Sequence, residues 1–352
     1  MTEGVRRVVT KHNKAGKAVL FSTDKVAFEK WPGADAGSAV VWSTANVPAD
    51  NSDGDIEGAK CDVGVTLHGG SVFRVTELGP GFQTPMHRTL STDYCMVLSG
   101  TLELVLDAGQ RVRLLAGDAA VQRGTNHAWR NPSRNTRCRF MVCMIEAEPI
   151  MINGATLAPT PMWKMIVFSL GTLLLPKQRS NAASDRPPEE RQARNRGLRR
   201  VVTTHDQFGK AQVLTEEEMA GLTAPDAGVT GVPIWTTDNV PVNNADGCES
   251  AGSRDLGFGS GSVFRVIELE PGLQTPMRRA LSIDYCMVLS GELELILDGG
   301  EMVTLSVGDT VVQRGTRHAW RNPDKHASCR FAICMIEARR VMLTGKTLEP
   351  VP

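Results

Sequence analysis

The chain has no CxxC pair, no zinc-type cysteine–histidine spacing, no excess of either charge and no apolar run long enough to cross a bilayer. Lys+Arg and Asp+Glu both total 39, so the formal net charge is zero. A balanced chain lacks the long-range field that would recruit nucleic acid or an anionic membrane surface as its main partner. Eight cysteines occur in 352 residues. Six of them, Cys95, Cys138, Cys143, Cys286, Cys329 and Cys334, sit inside apolar stretches, which reads as buried free thiols in a reducing, cytoplasmic setting rather than a disulfide framework. Residues 1–7 carry no apolar core, so no secretory leader is expected. The longest apolar run, residues 162–175, contains Lys164 and is shorter than the ~20 residues a spanning helix needs.

What is present is a repeat. Arg6-Arg-Val-Val-Thr10 matches Arg199-Arg-Val-Val-Thr203, and Trp42 before Asn46-Val-Pro48 matches Trp235 before Asn239-Val-Pro241. From Gly70 to Ala147 the second copy follows without a gap, 191 residues later, and 54 of the 78 aligned positions are identical. The chain therefore divides into a first copy over residues 1–160, an insert and linker over 161–197, and a second copy over 198–352. The apolar part of the insert, 162–175, is expected to form a helix packed on a barrel. The Arg/Glu/Ser/Pro-rich part, 177–196, is expected to be disordered.

Each copy reads as β. Short alternating or apolar runs recur at 71–78, 94–98, 102–106, 111–115, 119–122 and 138–146, separated by glycine turns such as Asp107-Ala-Gly109 and Asp298-Gly-Gly300. Many short strands at this spacing predict a sandwich or small barrel. Helix is scarce; one or two turns are expected over 216–222 in the second copy.

The chemistry-bearing residues lie in Gly81-Phe-Gln-Thr-Pro-Met-His87-Arg-Thr89-Leu-Ser-Thr-Asp93, closed by Gly100, and in Gly117…Gln122-Arg-Gly-Thr-Asn-His127-Ala-Trp-Arg-Asn131. Together these segments resemble the two motifs of the cupin superfamily, with Thr89 where a second histidine is usual, Asp93 where glutamate is usual, and Gln122 in place of proline. The wording further resembles the small cupin proteins, some described as oxidoreductases, of fungal polyketide pathways. The resemblance implies an all-β bicupin: two tandem antiparallel jelly-roll barrels packed as an intramolecular pseudo-dimer, a form also compatible with homo-oligomers. It implies further that His87, Asp93 and His127 are catalytic and hold one divalent metal, Fe, Mn or Zn, in the first barrel. Asp is one methylene shorter than Glu, so such a site would have to contract or bind through water. The second copy keeps Asp284 and His318 but carries Arg278 and Ala280 instead of His87 and Thr89. Arginine cannot ligate a metal, so none is expected there. Arg278 is expected to pair with Asp284, or to help Asp284 and His318 bind an anionic ligand.

Strand alternation extends the pocket. If Asp93 points inward, so do Cys95 and Val97, while Tyr94 and Met96 point away. If His127 points inward, Trp129 and Asn131 follow. Phe140, Val142 and Met144 share one face. Cys95, Trp129 and Phe140 are thus candidate contacts for a small-molecule substrate in an apolar interior. Arg88 and Arg279 read as surface or interdomain salt bridges, Trp42 as a pin for the N-terminal arm, and His68, His205 and His326 fall into no pattern. The expected function is a cupin-type oxidoreductase of secondary metabolism acting on an aromatic or polyketide-like molecule. The alternatives are a metal-free cyclase, dehydratase or isomerase using His87 and Asp93 as acid and base, and a non-catalytic small-molecule-binding bicupin.

Overall fold

The computed structural model describes residues 4–52, 69–160, 197–223, 228–245, 260–343 and 345–351. The expected helix at 162–175, the expected disordered stretch at 177–196 and His68 lie outside them. The described residues form strands and turns, and none of their helices is long and apolar enough to cross a membrane.

Each copy builds a jelly roll from one large and one small sheet. In the first, the large sheet carries Ala36–Thr44, Ser71–Leu78, Cys138–Glu146, Ser91–Ser99 and Ala119–Arg123 in that spatial order. The small sheet is His127–Arg130, Thr101–Leu106 and Arg111–Leu115. The second copy repeats both sheets. Alternation decides which side chains fill them. Val72, Cys95, Val97, Leu104, Trp129, Phe140, Val142 and Met144 form one core inside the first barrel, and the equivalent residues form another inside the second. The alternate residues, Phe73, Tyr94, Met96, Met141 and Cys143 with their counterparts, form a third core between the two large sheets. The pseudo-dimer is therefore a face-to-face packing of those sheets. At its centre Phe73 stacks on Tyr285 and Tyr94 on Phe264, each pair with centroids 5.2 Å apart. The buried phenols are satisfied across the same interface, Tyr94 by Ser262 at 2.8 Å and Tyr285 by Ser71 at 2.9 Å.

The sheets do not follow the repeat boundary. Val5–His12 and Ala18–Val26, the arm of the first copy, complete the large sheet of the second; Val5–His12 runs parallel to Thr310–Arg314, with Val8 opposite Val311. Leu198–His205 and Ala211–Met219, the arm of the second copy, complete the sheet of the first beside Ala119–Arg123, also in parallel. The two arms are thus exchanged, and these parallel contacts interrupt otherwise antiparallel sheets. Trp42 fills the expected pinning role, with the Arg7 guanidinium of the arm 6.0 Å and that of Arg314 5.9 Å from its ring centroid. Arg88 and Arg279 depart from the expected salt bridges. Arg88 is buried and reaches the carbonyls of Ala158 and, on the arm hairpin, Gly209, each at 3.4 Å. Arg279 reaches those of Glu349 and Gly16. The segment 216–222, expected to be helical, is strand through Met219, because Glu216 and Glu217 pair with Arg199 and Arg200 of the neighbouring arm strand.

The glycine that closes the first motif is required by its backbone. Gly100 has φ +74°, and a Cβ there would lie 2.6 Å from the Arg137 carbonyl oxygen.

Candidate functional site

His127 opens a strand of the small sheet, and His87 lies beside it on the preceding segment. Their backbones exchange two hydrogen bonds, His87 N–H to His127 O at 2.8 Å and the reverse at 2.9 Å. Directly opposed residues in such a bridge present their side chains to one face, and the two imidazole rings lie with centroids 4.4 Å apart. Nδ1 of His87 is 3.0 Å from the Pro85 carbonyl oxygen, and Nδ1 of His127 is 2.9 Å from that of Thr125. A carbonyl only accepts, so Nδ1 carries the proton of each neutral ring and Nε2 keeps its lone pair. Burial pushes both imidazoles below the ordinary histidine range. The charge of Arg74 adds to this for His87, and that of His87 adds for His127. The pair is thus neutral at pH 7, with two basic nitrogens on one face.

Trp129 sits edge-on to His127 with centroids 5.2 Å apart, and Phe140 packs on Trp129 at 5.5 Å. Cys95 belongs to the same interior, where burial pushes its thiol well up; it is packing, not a ready nucleophile. Asn131 is not a pocket residue. Its Nδ2 group spans the carbonyls of Leu78, Gly79 and Thr136 and ties the turn after the small sheet to the large one.

Asp93 is buried on the large sheet. Ser91 donates to it at 2.5 Å and Thr89 at 3.4 Å. Burial raises its carboxyl to about 6, opposed by the Ser91 hydrogen bond, then by Arg74 and Thr89. Of the implied metal set, His87 and His127 form the imidazole pair, and Asp93 accepts hydrogen bonds from two hydroxyls. Among the described residues no three His, Cys, Asp or Glu side chains are grouped so as to hold a metal ion. Protein sites for Zn²⁺ and non-haem iron take three or more ligands. As arranged, the residues do not fit the implied ion, and no step below runs through one.

Three residues escaped the reading of the motifs. Arg74 lies on the strand Ser71–Leu78 between the interior residues Val72 and Leu78, so it faces the lumen, and it is near enough to Asp93 and His87 to act on both charges. Thr203 and His205 come from the exchanged arm, on the side of the interior residue Val201. Thr203 donates to Gln122 Oε1 at 3.0 Å, and Gln122 stands directly opposite Asp93 in the sheet. The signal was available: Arg74 recurs as Arg265, and the matched arms both continue to a histidine, His12 and His205.

The second barrel keeps half of this arrangement. His318 repeats the contact, its Nδ1 2.9 Å from the Thr316 carbonyl, and burial lowers it to about 4. Asp284 is held by Ser282 at 2.5 Å and raised by burial to about 6. Arg278 occupies the place of His87 in the backbone bridge but is exposed, and the guanidinium acting on Asp284 is that of Arg265. The expected Arg278–Asp284 pair is not formed: a long, charged side chain at the barrel mouth turns to water rather than enter the apolar lumen.

Two jelly rolls joined in one chain, each with a buried Asp and His facing an apolar interior, define a tandem jelly-roll protein. A profile of the cupin domain matches residues 74–144 and 265–336. A cupin-domain-containing oxidoreductase of Hypocrea virens is 35% identical over 158 residues, covering 43% of this chain and 81% of that protein. One of Aspergillus ruber is 34% identical over 155 residues, covering 43% and 76%. The chain belongs to the cupin-domain family. It is also 50% identical over 94 residues to Phomopsin biosynthesis cluster protein C' of Diaporthe leptostromiformis, a match that covers 27% of this chain and half the length of that relative.

Proposed function

We propose that the first barrel carries out an oxidoreductase-type reaction on a small aromatic or polyketide-like molecule of secondary metabolism, in the cytoplasm. The observation that carries this reading is the buried imidazole pair, set beside relatives named as cupin-domain oxidoreductases. In this reading dioxygen is the oxidant. Nε2 of His127 or His87 takes a proton from a substrate hydroxyl or activated C–H, and the electron pair left on the substrate passes to dioxygen, which leaves as hydrogen peroxide or delivers oxygen to the substrate. Nε2 of the neighbouring ring accepts a hydrogen bond from a substrate hydroxyl or a bridging water. Trp129 and Phe140 form an apolar wall against the substrate ring, and Arg74 stabilises negative charge that develops as the proton leaves. The second barrel, with a single imidazole, binds without turnover.

A second reading is favoured by one observation, a buried acid raised to about 6 in the same barrel as two imidazoles lowered by burial, an acid and bases suited to proton transfer. It is proton transfer without redox change, giving isomerisation, dehydration or cyclisation. The two are distinguished by mass. Purified protein is incubated with metabolite extract from a source strain lacking the gene, with His127→Ala as the control. The oxidoreductase reading expects a product differing from its precursor by two hydrogens or by added oxygen. Loss of water or an unchanged mass selects the second reading. Metal analysis after chelation and reloading with Fe(II), Mn(II) or Zn(II) runs alongside. A near-stoichiometric ion lost in His87→Ala would restore the metal-dependent form.

A further inference from the structure

Cys143 and Cys334 are the same position of the two copies, 191 residues apart. Each sits mid-strand, Cys143 in Cys138–Glu146 and Cys334 in Cys329–Glu337, on the face turned to the other large sheet. In register, Cys143 is flanked by Phe73 and Tyr94, and Cys334 by Phe264 and Tyr285. These four rings make the two interfacial stacks, so the thiols meet at the centre of symmetry, between them. Both thiols are fully buried, and their sulfurs are 3.0 Å apart. Both are free thiols in this structure, with the Cys334 S–H donating to Cys143 Sγ, and a disulfide would bring the sulfurs to ~2.05 Å. The other described cysteines line the barrel interiors, Cys95 and Cys138 in the first and Cys286 and Cys329 in the second.

We propose that Cys143 and Cys334 are a disulfide site, a covalent link between the two copies. The oxidant is a small-molecule disulfide. One cysteine thiolate attacks it to give a mixed disulfide and release one thiol; the second cysteine thiolate displaces the other. The protein loses two electrons and two protons, and the small disulfide is reduced to two thiols. Burial raises the Cys334 thiol, and the adjacent Cys143 adds to this, so exchange in the closed interface is slow and the link forms as the sheets dock. The bond would close a loop of 191 residues and hold together the sheets that wall both lumens, making the stiffness of the pair responsive to the thiol balance.

The test refolds the full chain from urea in glutathione buffer, fully oxidised or fully reduced, and maps peptides without reduction. Expected after oxidised refolding is a peptide joining Cys143 to Cys334 and a higher thermal midpoint than in the reduced chain. Cys143→Ala and Cys334→Ala should each fold, lack the joined peptide and lose the midpoint difference. Absence of the joined peptide in a chain that refolds to its native spectrum overturns the proposal. So does preferential joining of Cys143 to any other cysteine, or a midpoint difference that survives in both variants.

Discussion

A carbonyl oxygen beside Nδ1 leaves a neutral imidazole no choice of tautomer, and His87 and His127 both have one. Long-range proton–nitrogen spectra of the chelator-treated protein should therefore show both rings neutral at pH 7, protonated on Nδ1. A charged ring or an Nε2–H tautomer would contradict the geometry. The buried acids and bases also set opposing pH effects. The Asp93 carboxyl, raised to about 6 in the folded chain from 3.8, contributes stability that is complete below pH 4 and lost as pH rises through 6. The lowered histidines, His318 at about 4 among them, contribute stability that is present above 6.5 and lost as pH falls toward 4. Asp93→Asn removes only the first. Relative to wild type the variant should gain stability as pH rises from 4 to 6, by at most about 3 kcal/mol, since each tenfold change in an acidity constant is worth about 1.4 kcal/mol. Urea titrations at pH 4.5, 5.5 and 7 check this; a difference between the two proteins that does not change with pH would contradict it. The placement of Asp93, Cys95 and Val97 inward was legible from alternation alone. The hold of the Ser91 and Thr89 hydroxyls on Asp93 was not, because motif spacing fixes a residue's strand and face but not its hydrogen-bond partners.

Strands were the legible elements, since period-2 patterning recurs in both copies. Of the two expected helices, the one over 162–175 lies outside the described residues, and the one over 216–222 failed because its glutamates serve a ladder to Arg199 and Arg200 that only the folded arm supplies. Tertiary pairing overrides local propensity in such a segment. At this scale the interface makes its own prediction. Tyr94→Phe keeps the stack on Phe264 and loses the hydrogen bond to Ser262, which still has Thr237 at 2.7 Å. Its cost should be about 1 kcal/mol. Tyr94→Ala also opens a cavity between the sheets and should cost about 3–5 kcal/mol. Denaturant unfolding of both variants decides whether the stack or the hydroxyl dominates; equal costs would mean that the ring contributes little.

The arm exchange belongs to the whole molecule. Sequence identity between copies establishes that there are two units but is silent on which arm completes which sheet, since both arms carry the same pattern. The structure answers with Val8 beside Val311 and Val201 beside Ala120. A protease site placed between residues 160 and 197 should therefore yield two fragments that elute together and separate only in denaturant; fragments that part in native buffer would contradict the exchange. The same scale holds the central proposal, that two barrels identical at 54 of 78 aligned positions have diverged into one reactive lumen and one that only binds. The most direct measurement is product formation from the null-strain extract by His87→Ala and Arg278→Ala side by side. The account predicts a loss of at least about 100-fold for His87→Ala, the range expected when a proton-transfer group is removed, and near wild-type turnover for Arg278→Ala. Equal losses in the two variants, or undiminished turnover by His87→Ala, would contradict it.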